Sequence, residues 1–209
     1  MKKIVLIGDI VASKKIKNRA EVQKKLVRLF KNINENNKTL DSPFTITLGD
    51  EFQALYNKAD NIFKDIWQIM YVLYPERVRF SIGVGELNTK VNKKQAIGMD
   101  GPAFYNARSG LDELKEYSFL FNISGEDIEN IDFTRQVLFL VSRVITKWKT
   151  SRMKIFDSLY QGNTVKTIAR KLKISDKAVY KNIDTGGMYM VMALFEEISN
   201  LLNEAIKKG

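Results

Sequence analysis

The sequence contains no cysteine and no histidine. Without cysteine there is no disulfide, no thiol nucleophile and no thiolate zinc cage. Without histidine there is no imidazole general base and no Ser–His triad. Any bound metal has to be held by oxygen atoms, which favours a hard cation such as Mg²⁺, Mn²⁺ or Ca²⁺. Long apolar runs are missing too. The stretch Ile4–Ile7 is broken by Gly8-Asp9, short of the ~7–15 apolar residues at the core of a secretory signal. Nothing approaches the ~20 apolar residues of a membrane span. The expectation is a cytoplasmic protein without a membrane partner.

A third shortage is local. Between Arg143 and Ile183 the only acids are Asp157 and Asp176, set against eleven lysines and arginines, a surplus of nine in a chain whose net charge is +10. A charge concentrated in one segment is the footprint of a surface that meets a polyanion. The remaining composition, 44% hydrophobic and 28% charged over 209 residues, argues against disorder over most of the length. It leaves room for one large domain or two modest ones.

Along the chain, Lys3–Val11 is an apolar, β-branched run that suits a buried strand. From Arg19 to Asn36, Val22, Leu26, Leu29, Phe30 and Ile33 recur at helical spacing. After Asp41-Ser42-Pro43, short strands are expected at Phe44–Leu48 and Phe52–Tyr56, with Gly49-Asp50-Glu51 as the hairpin between them. A second helix carries Ile62, Phe63, Ile66, Trp67, Ile69, Met70 and Leu73 inward, and Arg77–Val84 forms the next strand. The order is β-α-β-β-α-β, the split βαβ arrangement of ferredoxin-like, or palm, domains. Gly101–Lys115 then suits a helix, Tyr117–Ile123 a strand, and past Ser124-Gly125 only helical patterns follow, the first ending near Trp148. The expected class is α+β: a palm domain over residues 1–124 and an all-α domain over 125–209.

Asp9 closes the first strand, and Asp50 with Glu51 tops the hairpin. A β-α-β-β fold makes those elements neighbours, so the carboxylates converge, at a repulsive cost that a cation relieves. Asp50 and Glu51 also suit a turn on their own account.

Gly8-Asp9-Ile10-Val11 resembles the first metal-binding strand of class III nucleotidyl cyclases. Thr47-Leu48-Gly49-Asp50-Glu51-Phe52 is similar to the hairpin of those cyclases and to that of the GGDEF diguanylate cyclases. Phe80–Val84 resembles their following strand, and Gly101–Arg108 the cyclase helix that contacts the nucleotide. The resemblance implies Asp9, Asp50 and Glu51 as ligands of Mg²⁺ or Mn²⁺. It implies Asn106 and Arg108 as catalytic, nucleotide-contacting residues supplied across a homodimer interface. Ile46 stands where the cyclases carry a base-selecting lysine, and Asn106 and Arg108 are two apart instead of four. As a whole, the chain resembles the SatD family of bacterial proteins, which implies the two-part architecture and no particular chemistry.

Residues 164–183 resemble a bacterial helix-turn-helix. Thr164 and Ser175 stand where helix caps belong. Ile168, Ala169, Leu172, Val179 and Ile183 make the inner faces, with Ile174 expected as a buried turn residue. Arg170, Lys171, Lys177, Tyr180, Lys181 and Asn182 are left as candidates for contact with double-stranded DNA. The leading expectation is a DNA-binding regulator whose palm domain binds a nucleotide or a divalent metal. Two other readings remain open: an active nucleotidyl cyclase or transferase, and an inert palm scaffold that only dimerises.

Overall fold

Strand β1 (Lys3–Ile10) lies at the centre of a five-stranded sheet of order β2-β3-β1-β4-β5. The computed structural model describes residues 1–208, the Leu48 side chain excepted. The elements follow as α1 (Arg19–Asn36), β2 (Leu40–Leu48), β3 (Glu51–Tyr56), α2 (Ile62–Leu73), β4 (Val78–Gly85), α3 (Pro102–Glu116) and β5 (Phe121–Gly125). Five helices complete the chain: α4 (Ile131–Ile145), α5 (Thr150–Tyr160), α6 (Val165–Leu172), α7 (Asp176–Gly186) and α8 (Met188–Lys207). β1 pairs antiparallel with β3 and β4, β2 antiparallel with β3, and β5 parallel with β4. The protein is α+β, with a mixed sheet and eight α-helices among the described residues.

Successive side chains of a strand alternate between faces, and β1 is apolar throughout because both faces are covered. Ile4, Leu6 and Ile10 enter the larger core, with α1 and α2, while Val5 and Ile7 enter the smaller one beneath α3. Asp9 follows Val5 and Ile7 onto the α3 side. Helix α3 sits unusually close to β4. A Cβ placed on Gly83 would lie 2.2 Å from the Ala103 carbonyl oxygen and 2.3 Å from the Ala107 nitrogen. The rest of this face is covered without a helix, by residues 86–101. Ala96 is fully buried there. Its N–H donates to Thr45 Oγ1 at 2.9 Å and its carbonyl accepts from Gln53 Nε2.

On the opposite face the C-terminal helices share the sheet's core. Trp67 of α2 meets Phe156 of α5 edge-on at 4.4 Å and Trp148 at 6.1 Å. Phe63 stacks on Phe195 of α8 at 4.4 Å, and Phe195 meets Phe121 of β5 at 6.0 Å. One apolar cluster thus runs from Ile4 to Ala205.

Three local expectations are corrected. β5 begins at Phe121, because Phe119 turns aside to stack on Phe139 of α4 at 4.2 Å. α4 stops at Ile145, and Thr146–Trp148 turn the chain into α5, a helix the sequence pattern did not announce. β2 begins at Leu40, extended through bulges opposite β3.

Candidate functional site

Asp9, Glu51 and Arg79 stand side by side at one end of the sheet: Asp9 is the register partner of Glu51 on β3 and of Arg79 on β4. Directly opposed residues place their Cβ atoms about 4.5–5.5 Å apart, so Asp9 stands between a second carboxylate and a guanidinium. Arg79 Nη1 donates to Asp9 Oδ2 at 3.2 Å. Glu51 is clasped from above by Arg108 of α3, whose two terminal nitrogens reach its oxygens at 2.5 and 2.7 Å, with Thr47 Oγ1 at 3.2 Å. This is the paired fork geometry in which guanidinium and carboxylate bind most strongly.

Asp50 occupies the turn after Gly49, whose φ of +63° favours glycine. It accepts from the buried Ser13 hydroxyl, and Arg19 Nη2 lies 3.7 Å away. The Asp9 carboxyl is held above the usual range, first by burial and next by the negative charge of Asp50, with Arg79 opposing both. Asp9 and Asp50 are therefore close enough to repel. Oxygen donors under mutual repulsion suit a hard divalent cation. No group of three or more acidic side chains placed to hold a metal occurs among the described residues; Glu51 is taken up by Arg108.

Asn106 and Arg108 do not converge. Two residues apart on a helix, side chains point in very different directions. Asn106 Nδ2 donates to the Val84 carbonyl at 2.8 Å, while Arg108 turns to Glu51.

Beyond the end of β1 lies an open cavity of about 490 Å³, bordered by Val11 and Ala12, the N-terminal turn of α1, and Lys15, Lys17 and Lys25, with Glu21 and Glu76 as the acids among its lining. Sequence reasoning passed over these lysines, and also over Arg79 and Ser13. The lysines are scattered over eleven residues of ordinary surface composition, and only the fold gathers them around one cavity.

In the helical layer, both expected caps form. Thr164 Oγ1 accepts from the Thr167 N–H at 3.3 Å and Ser175 Oγ from the Ala178 N–H at 3.2 Å. Ile168, Ala169, Val179 and Ile183 are buried between α6 and α7. Lys177, Tyr180, Lys181, Arg170 and Lys171 are exposed. Lys171 Nζ reaches Asn163 Oδ1 at 3.2 Å, and Asn182 is half-buried, its amide donating to the Ala178 carbonyl at 2.8 Å. Ile174 is not the buried turn residue expected of it, being 38% exposed. Lys173 takes a left-handed conformation, and the Ile174 N–H folds back to the Ala169 carbonyl at 3.1 Å, so the helix end is closed by backbone rather than by an apolar plug.

The family description of SatD matches residues 3–202, from the first strand through most of α8. The chain belongs to the SatD family. No curated protein matches it. The SatD match takes in the carboxylate end of the sheet, the lysine-lined cavity and the α6–α7 pair alike, so all three belong to the family's own extent. No helix among the described residues of this SatD-family chain is long and apolar enough to cross a membrane.

Proposed function

We propose that this SatD-family protein is a cytoplasmic DNA-binding regulator. Its α6 and α7 act as a helix-turn-helix on duplex DNA, and a palm-type, ferredoxin-like unit around β1 takes a nucleotide or a divalent metal as signal. The observation that carries the reading is the outer face of α7. Lys177, Tyr180 and Lys181 stand exposed within about one turn of each other on a helix whose N-terminus is capped and whose inner face is buried. Arg170 and Lys171 are exposed at the C-terminal end of α6. Two lysines beside a central aromatic on the exposed side of a capped, docked helix suit phosphate contact beside a major groove.

Support for the palm reading comes from the strand order β2-β3-β1-β4, with β3 antiparallel between β1 and β2. Asp9 and Asp50 would hold Mg²⁺ or Mn²⁺, which on such carboxylates neutralises and orients phosphate oxygens. The lysines of the adjoining cavity would take the remaining phosphate charge. Asn106 and Arg108 are both satisfied within the chain, which favours a sensor over a catalyst.

Two experiments test these halves separately. Fluorescence anisotropy with duplex DNA should show affinity falling steeply with salt. Replacing both Lys177 and Lys181 with alanine should lower the log–log salt slope by roughly two units, because two fewer counterions are released. Both side chains point away from the core, so melting should be unchanged. Wild-type protein without affinity for duplex at low salt refutes the DNA half. Calorimetric titration with Mn²⁺ should give one site that Asp9→Asn weakens by roughly tenfold or more, since even outer partners of a metal are worth about 10–100-fold. Equal affinity in the variant would remove Asp9 from the site.

A further inference from the structure

Helix α4 buries Thr134, Leu138, Val141, Ser142 and Ile145 against the sheet. Its opposite side is not polar, as a solvent face should be. Phe133 is 71% exposed, Leu140 68% and Val144 38%, with Val137 half-buried between them. The spacing of four, three and four residues is that of the apolar seam of a two-helix pair, since it keeps one stripe in line over three turns. The stripe is about 16 Å long at 1.5 Å per residue.

The charges around it say what covers it. Glu126, Glu129 and Asp132 cluster at the N-terminal end of α4, while Arg143, Lys147 and Lys149 cluster at its C-terminal end. Asp132 and Arg143 fall on the same flank of the stripe, and both are exposed; Asp132 also accepts from Arg135 Nη1 at 3.3 Å, an exposed pair that leaves its other oxygen open to a second cation. A helix of this kind is complementary to itself when reversed. Antiparallel pairing sets Phe133 against Val144 and Val137 against Leu140, brings Asp132 of each copy towards Arg143 of the other, and opposes the two helix dipoles. Parallel pairing would place acid against acid. Arg143 is already steadied beside the stripe, its guanidinium 5.8 Å from the Phe119 ring centre. The neighbouring sheet edge is less available, because Arg135 donates to the Ile123 carbonyl of β5.

We infer that α4 is a self-association surface, on which a second copy of this chain docks by antiparallel α4–α4 contact about a two-fold axis. The surface is separate from the carboxylate end of the sheet and from α7, so it goes beyond the function proposed above and does not depend on it. Four apolar side chains cover less than the roughly 800 Å² per partner of a standard interface, so the dimer is a reversible one, with a dissociation constant on the order of micromolar.

Sedimentation velocity over a concentration series spanning the micromolar range tests this on the full chain. Wild type should shift from monomer to dimer. Leu140→Glu should stay monomeric with unchanged circular dichroism and melting. Should that variant misfold, Phe133→Ser serves instead. Asp132→Arg and Arg143→Asp should each weaken association by about tenfold, because each sets like charges across the seam, and the double variant should recover most of the loss. Restoration in the double variant is expected only if α4 meets α4. A wild type that stays monomeric, a dimer indifferent to Leu140→Glu, or a double variant no tighter than the singles overturns the inference.

Discussion

Trp67→Ala should lower the stability of this protein by about 3–5 kcal/mol, the range for deleting a large aromatic from a packed core. The side chain is 1% exposed and lies among Phe156, Trp148 and Tyr71. Its Nε1 donates to Asp157 Oδ1 at 3.1 Å. Truncation would empty the centre of that cluster and take from Asp157 the donor to its Oδ1, leaving Gln161 Nε2 on Oδ2. Burial already pushes the Asp157 carboxyl up, and the bond from Trp67 is the first force opposing it. The consequence reaches further than one cavity. Trp67 belongs to α2, against the sheet, whereas Phe156 and Trp148 belong to the helical layer, and Trp148 Nε1 in turn donates to the Gly186 carbonyl at the end of α7. Wild type should therefore unfold in one cooperative transition, sheet and helices together. The variant should either melt much lower in one step or release α5–α7 in an earlier step, as denaturant titration followed by both fluorescence and circular dichroism will show. A loss below about 1 kcal/mol, typical of an ordinary substitution, would mean that the helical layer is held to the sheet elsewhere.

That cluster also marks the boundary of what could be foreseen. Asp9, Asp50 and Glu51 were legible as neighbours because a β-α-β-β order dictates which strand ends meet, and apolar runs with turn residues reveal that order. The caps at Thr164 and Ser175 were legible because capping is local chemistry. Arg79 was not, since its partner is set by the β1–β4 register, and neither was the bond between Arg108 and Glu51, which depends on how α3 docks over β3. Helix α5 left little trace: it contacts α2, α6 and α7, so Met153, Ile155, Phe156 and Leu159 spread around much of its circumference and blur the helical period. The covering of β2 and β3 by residues 86–101 is invisible for a different reason, since it rests on backbone and amide hydrogen bonds rather than on periodicity.

Asp65 is the clearest case of a residue whose role only the fold discloses. An acid in the first turn of α2 would ordinarily be explained by the helix dipole, yet this one is 4% exposed. Tyr56 OH donates to its Oδ2 at 2.7 Å and Asn37 Nδ2 donates to the same atom at 2.5 Å. Burial lifts the carboxyl to about 6, against the pull of those two bonds. The folded state thus holds the proton more tightly than the unfolded chain does. Its stabilising contribution is complete below about pH 4 and is lost as pH rises to about 6, a decline of up to ~3 kcal/mol at 1.36 kcal/mol per unit. Asp65→Asn keeps an oxygen that accepts both hydrogen bonds and removes the ionisation. The variant should match wild type near pH 4 and exceed it at pH 7 by up to ~3 kcal/mol, each kcal/mol raising Tm by about 2–4 °C in a chain of this size. Asp9 and Asp157 are also raised and will leave a residual slope in both proteins, so the difference between the two melting profiles isolates Asp65. Parallel profiles from pH 4 to pH 7 would show that Asp65 titrates alike in the folded and unfolded chains, and that the pocket formed by Tyr56 and Asn37 exerts no net hold on its proton.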